Sequence, residues 1–254
     1  MSEHPTHVLV VGATGSIGRH VVTTLQRHGL GVRALVRDQR RGRSLLPEVE
    51  LVEGDLERPD TLGSVVEGVD GVIFTHGSDR GGTAERVDYG GVRNVLRALG
   101  GRRPRIALMT SIYVTRAEGA YADLVGWKRR SELLVRASGA PYTIVRPGWF
   151  DHTSPGDDRL VLEQGDTGDG GIGRAQLAEV LVRSLLTDTA VGRTFELFAA
   201  EGAAPSDWDG VFAGLSADTP GALSGARDTG VPDPDREPET VRADIAELLS
   251  RADG

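Results

Sequence analysis

The stretch VLVVGATGSIGRHVV, residues 8–22, constrains this chain more than any other. A short apolar run enters a turn containing Gly12, Gly15 and Gly18, and a helix-like segment follows from about Ser16 to Arg27. Such a chain must turn sharply, let a pyrophosphate approach its backbone, and pack a helix on a strand. Glycine meets all three needs because it lacks a Cβ. The helix then offers unpaired N–H groups and a partial positive charge to phosphates. Three glycines alone also fit any α/β turn. Directly after a strand and opening a helix, they predict a dinucleotide site. Thr14, Ser16 and Ile17 lie between or beside them.

The rest of the chain repeats this alternation. Strand-like runs fall at 7–13, 32–37, 49–56, 71–77, 105–111 and 142–148, with helical segments at 83–99 and around 121–134. Continuous aliphatic and β-branched runs separated by helices predict a parallel sheet covered on both faces. With right-handed crossovers this is a Rossmann-type, doubly wound α/β sheet. We expect that core over residues 1–150. Residues 151–254 read as a small C-terminal substrate-side region packed on it, whose strands and helix within 174–199 partly complete it. Its Gly- and Asp-rich loops surround a short strand at 159–164. Further elements are expected at 174–186 (helix), 193–199 (strand), near 208–215 (helix) and at 239–251 (a final amphipathic helix).

Composition narrows the partners. A net charge of −8 argues against nucleic acid. No apolar run approaches the roughly 18–20 residues of a membrane span. The chain has no cysteine, which excludes disulfides and thiol catalysis and fits a cytoplasmic protein. No metal-ligand spacing or Ser-His-Asp order stands out. A small-molecule substrate and a monomer or homodimer are the expectation.

The end of the second strand selects the cofactor. An acid there bonds a ribose hydroxyl and repels a 2′-phosphate. Here LVRDQRRGR presents Arg37, with Arg40, Arg41 and Arg43 behind it and Arg33 within the strand. Arginine matches phosphate with its planar fork, so NADP(H) is preferred, with NAD(H) possible. Asp38 retains the option of a ribose contact, and the arginines that of a solvated helix start. Asp55, followed by Leu56, ends the third strand, where it can accept from an adenine amino group or cap a helix. Thr75, His76 and Gly77 leave the fourth strand on the nicotinamide-ribose side.

The segments GATGSIG, EGDLERPDTL, VDYGGVRNVLRA, TSIYV, WKRRSELLVRASGAPYTIVRPG and RAQLAEVL occur in this order. Together they resemble the atypical short-chain dehydrogenase/reductases, in their NmrA-like, NAD(P)H-binding branch, over roughly residues 7–199. The resemblance implies a Rossmann core, a nicotinamide cofactor and a small redox substrate. It assigns Gly12, Gly15 and Gly18 to the phosphate loop, Arg37 to the 2′-phosphate and Asp55 to adenine. It assigns Ser111 to the end of the fifth strand, Lys128 to the nicotinamide ribose, and Pro147 and Gly148 to the loop covering the nicotinamide. Leu124 stands where better-known branches of the group carry the tyrosine acid.

Carbonyl reduction leaves an alkoxide that needs a proton donor, and leucine supplies none. Tyr121 lies about 10 Å from Lys128 along a helix axis, too far to replace it. Ser111 and Tyr113 share a face if the strand persists, roughly 7 Å apart. His152 follows the nicotinamide loop, and its ordinary pKa of about 6.5 suits proton donation. Trp149 and Phe150, from a set of only three Trp and five Phe, would wall the nicotinamide. Ser111, Tyr113, Lys128 and His152 are therefore the candidate catalytic residues. An aromatic wall without a strong acid suits quinones, flavins or enones, whose reduction gives weakly basic anions. The expected function is an NADPH-dependent oxidoreductase. The alternatives are an NADP(H)-binding redox sensor without turnover, or an NAD(P)-dependent epimerase or dehydratase.

Overall fold

A computed structural model describes residues 4–78, 83–116, 119–229 and 233–252. The chain begins with β1 (His7–Val11), α1 (Gly18–Arg27), β2 (Gly31–Val36), α2 (Gln39–Leu45), β3 (Glu50–Glu53) and β4 (Gly71–Phe74). Next come α3 (Gly90–Leu99), β5 (Arg105–Met109), α4 (Ala122–Ala137), β6 (Tyr142–Pro147) and β7 (Trp149–Phe150). The chain continues through β8 (Arg159–Glu163), β9 (Gly171–Ile172), α5 (Arg174–Leu186), β10 (Arg193–Ala200), α6 (Trp208–Ala213) and α7 (Glu239–Ala252).

The main sheet has eight strands in the order β3-β2-β1-β4-β5-β6-β10-β8. Every pairing is parallel except β8 with β10. The order reverses direction beside β1, which opens a crevice at the carboxyl ends of β1 and β4. This is the doubly wound Rossmann arrangement. β10 and β8, from the second part of the chain, extend the same sheet. β7 and β9 form a separate parallel pair of two residues each.

The strands are apolar because both faces are covered. Val8 and Val10 of β1 face a cluster with Val21 and Leu25 of α1, Leu177 and Leu181 of α5, and Phe212 of α6. Leu9 and Val11 face the other, with Val95 and Leu99 of α3, Leu133 and Leu134 of α4, and Val241 and Ile245 of α7. Alternation across a strand sends successive side chains to opposite layers.

Three expectations change. The strands expected at 49–56, 71–77 and 105–111 stop at Glu53, Phe74 and Met109, so the residues beyond them are free to form site loops. The helix expected over 83–99 begins as a π-helical turn, Glu85–Tyr89, before α3. The basic segment after Arg37 is α2, with Asp38 as its cap. The stretch 79–82, within the expected loop after β4, lies outside the described residues.

Candidate dinucleotide site

A large cavity of about 1000 Å³ runs along the carboxyl ends of the strands. At one end Gly12 adopts φ +89°, and a Cβ there would lie 2.7 Å from the His76 backbone nitrogen. A Cβ on Gly18 would lie 2.1 Å from the Gly12 carbonyl oxygen. Only glycine allows this approach of α1 to the turn. The Gly15 N–H donates to that same carbonyl at 2.9 Å. α1 opens with no side-chain cap and no acid in its first turn, so its positive end faces the cavity uncompensated. Gly12, Thr14, Gly15, Ser16 and Ile17 line the wall, whereas Gly18 packs behind it. This cradle, which added Cβ atoms would fill, fits a pyrophosphate.

Beside it, Arg37 is exposed and lines the cavity. Asp38 caps α2 by accepting from the Arg41 N–H at 3.0 Å. Arg33 turns away to Glu50, at 2.8 Å, and Arg43 to the Pro47 and Val49 carbonyls. Of the five arginines in this segment, only Arg37 lines the cavity. Asp55 and Leu56 form the facing wall. Asp55 accepts from the Glu57 N–H at 3.0 Å, which fixes the carboxylate, and buried Asn94 donates to the Leu56 carbonyl at 2.7 Å.

Towards the middle, Thr75 donates to the Val11 carbonyl at 3.0 Å, stitching β4 to β1. His76 is pinned by Nε2 to the Val87 carbonyl at 3.1 Å. Burial depresses its pKa to about 4, with the Lys128 cation adding to the effect of burial and Asp88 opposing it. It is therefore neutral near pH 7 and donates no mobile proton there. Lys128 Nζ lies 2.7 Å from Asp88 Oδ1. Burial would raise the Asp88 carboxyl, but Lys128 and the Ser78 N–H hold it below its ordinary value. The π-helical turn places both the Val87 carbonyl and the Asp88 carboxylate on this side. An ammonium has three donors, so Lys128 keeps two beyond Asp88. Gly77 lies against this pair: a Cβ there would be 3.6 Å from Lys128 Nζ.

The far end holds the candidate proton donors. Ser111 lines the cavity, and its buried Oγ has no partner among the described residues. An unpaired buried hydroxyl marks a place for a ligand atom. Tyr113 also lines the cavity but does not share a strand face with Ser111. The strand ends at Met109, and Tyr113 sits in a turn at φ +71°, a conformation that costs a side-chain-bearing residue on the order of 1 kcal/mol. Burial and the Asp169 carboxylate, which accepts from its hydroxyl, raise the Tyr113 pKa, and the Arg116 cation opposes them. Arg116 lies over its ring at 4.7 Å. Asp169 also accepts from Trp149 Nε1 at 3.0 Å, and the Tyr113 and Trp149 rings are 6.3 Å apart.

Pro147 and Gly148 cross this end, and a Cβ on Gly148 would lie 2.2 Å from the Gly170 carbonyl oxygen. Leu124 and Phe150 complete the wall. Tyr121 precedes α4 and reaches the rim with most of its surface exposed. His152 is not a lining residue. It is exposed, and its ring stands 6.4 Å from that of Trp149 on the outside. The left-handed Asp151 turns the chain away before it, so the expectation that His152 faces the cavity is corrected.

A family described as NAD(P)H-binding matches residues 12–188, from the phosphate loop through α5. The chain belongs to the NAD(P)H-binding family. The family binds a nicotinamide cofactor. An Arabidopsis thaliana relative, Uncharacterized protein At2g34460, chloroplastic, is 30 % identical, with 82 % of each chain covered. Protein TIC 62, chloroplastic, from Pisum sativum is 29 % identical over 68 % of this chain, which spans only 39 % of that protein. Sanguinarine reductase from Eschscholzia californica is 25 % identical, with 75 % of this chain and 88 % of the enzyme covered. A Bacillus halodurans structure named for an NAD-dependent epimerase/dehydratase superposes with TM-score 0.72 at 23 % identity. It covers 83 % of this chain and 100 % of its own, and establishes the shared fold.

Within and behind this candidate site, sequence reasoning missed Asp88, Asn94, Asp166 and Asp169. Asp88 and Asn94 lie inside the quoted VDYGGVRN segment, where an acid and an amide beside paired glycines were available as a signal. Asp166 and Asp169 sit in a Gly/Asp-rich loop whose composition says only that it is a loop.

Proposed function

We propose that the chain is an NADPH-dependent oxidoreductase that reduces a small, flat, conjugated acceptor such as a quinone, flavin or enone. The observation that carries this reading is Leu124 in the cavity wall one helical turn before Lys128, at the acceptor end of a dinucleotide cleft. A dinucleotide site without a strong acid at that position favours substrates whose reduced anion is weakly basic.

The cofactor, when bound, supplies the hydride. Lys128, held by Asp88, bonds the ribose hydroxyls with its remaining donors. Arg37 takes the 2′-phosphate, and Asp38, committed to capping α2, leaves that place to it. Ser111 orients the acceptor through its free hydroxyl. Tyr113 is a weak donor, because Asp169 holds its proton. Trp149, which lines the cavity with part of its surface exposed, stacks on the acceptor. The Eschscholzia californica relative is named as a reductase, which supports this reading. On the same reading the chain acts as an atypical short-chain dehydrogenase/reductase.

Steady-state consumption of NADPH across a panel of quinones, flavins and enones tests the proposal. Saturable turnover with at least one class is expected. Tight NADPH binding with no consumption by any of them overturns it and leaves a redox sensor as the function.

A further inference from the structure

The turn carrying Ser111 and Tyr113 is suspended from the protein interior at both ends. Before it, Thr110 donates to Glu132 Oε1 at 2.8 Å. After Ser111, the Tyr113 N–H donates to Asp166 Oδ1 at 2.6 Å. The Thr115 N–H and hydroxyl both donate to Asp166 Oδ2 at 2.8 Å. Asp166 is fully buried and itself left-handed, at φ +56°. Its own N–H donates to Glu196 Oε2 at 2.9 Å.

The two ends meet at Arg146, also fully buried. Its guanidinium reaches Glu132 at 2.7 Å, Glu196 at 3.2 Å and Asp228 at 2.7 Å. A closed circuit of bonds therefore runs from Thr110 through Glu132, Arg146, Glu196 and Asp166 back to Tyr113. Ser111, whose hydroxyl is unpartnered, lies inside the bracket. A carboxylate accepting three donors outside any helix fixes backbone geometry more tightly than packing alone.

We propose that Asp166 is a positioning residue, holding the 111–115 turn in the conformation that presents Ser111 and Tyr113 to the acceptor end of the cavity. The claim rests on the reductase reading of the cavity for its consequence, and on the turn's own bonds for its structure. Asp166 touches neither the phosphate loop nor Arg37 nor the Lys128–Asp88 pair. Its effect is accordingly on the acceptor and not on the dinucleotide.

Two variants test this, Asp166→Asn and the milder Thr115→Val, which removes one of the three donors and leaves a foldable chain should the first fail. Amide hydrogen exchange, NADPH affinity and steady-state kinetics with the quinone menadione are measured on both. In Asp166→Asn, exchange of the Tyr113 and Thr115 amides rises about tenfold, since each loses a charged acceptor. The kcat/KM for menadione falls about tenfold or more, as expected for a displaced orienting group. NADPH affinity stays within about twofold, because no contact of the phosphate loop or Arg37 is removed. Thr115→Val shows the same pattern, smaller. Loosened amides with unchanged menadione kinetics overturn the proposal, as does an equal loss of NADPH affinity. If the wild-type chain consumes no NADPH with any acceptor, the reductase reading falls separately. The exchange measurement then decides the structural claim, and amides that stay protected in both variants overturn it.

Discussion

Lys128 Nζ and Asp88 Oδ1 meet at 2.7 Å, with the two side chains only 12 % and 2 % exposed. A pair so enclosed is hardly screened by solvent. Removing one partner leaves the other charge buried alone, which costs about 3–5 kcal/mol. Lys128→Met and Asp88→Asn should each lower the urea midpoint and weaken NADPH binding. The double variant should be more stable than the sum of the singles predicts, because it leaves no orphaned charge. Strict additivity in unfolding would show that the pair is not coupled.

On the proposed function Arg37, the one arginine of its segment that lines the cavity, distinguishes the two cofactors. Arg37→Ser should raise the NADPH Kd about 10- to 100-fold, the range for a charge-assisted phosphate contact. NADH affinity should stay unchanged. Titration of the nicotinamide fluorescence with each cofactor checks this, and an equal loss for both would remove Arg37 from 2′-phosphate recognition.

The fold was legible because its signal is redundant. β1, β4 and β5 are largely apolar runs, and Gly12, Gly15 and Gly18 mark the first turn regardless of what surrounds them. The candidate cofactor contacts follow from strand ends, which sequence locates to within a few residues. The rest depends on long-range closure. Asp166 meets Tyr113 across 53 positions, and Arg146 meets Asp228 across 82, and neither separation leaves a local pattern. TSIYV is β-prone and would carry Tyr113 on the face of Ser111 if the strand persisted past 111, but the turn bound to Asp166 overrides that propensity. His152 was attractive by position alone, and the left-handed Asp151 before it turns the chain away.

Gly148 sits where a Cβ would lie 2.2 Å from the Gly170 backbone oxygen, an atom that cannot swing aside. Gly148→Ala should destabilise the fold by about 1–3 kcal/mol and lower Tm accordingly. An unchanged Tm would mean that β7 and the loop at Gly170 separate freely.

Glu196 faces Arg146, the Asp166 backbone and, through Arg146, Glu132 and Asp228. Burial lifts its pKa to about 7, with Asp166 adding to burial and Arg146 opposing it. The unfolded chain gives up this proton near 4.5, its ordinary value. Between about pH 4.5 and 7 the folded state thus holds the extra proton, and the stability Glu196 contributes falls as pH rises, by on the order of 3 kcal/mol. Glu196→Gln should lack that decline while keeping the contributions of His76 and Asp88. Urea midpoints taken across this window for both proteins check it, and parallel curves would contradict it.

On the proposed function, Leu124 leaves the position one turn before Lys128 without an acid. Leu124→Tyr should raise reduction of a simple ketone about 100-fold, the low end of general-acid contributions. NADPH affinity should change little. No gain would show that more than the acid is missing.

On the proposed function the chain passes hydride from its cofactor to conjugated acceptors that need little acid help. Anaerobic consumption of NADPH by the wild-type chain, with menadione and with cyclohexanone, tests it most directly. Saturable consumption is expected with menadione, with a rate for cyclohexanone at least about 100-fold lower. Equal rates with both, or no consumption with menadione despite tight NADPH binding, would contradict it.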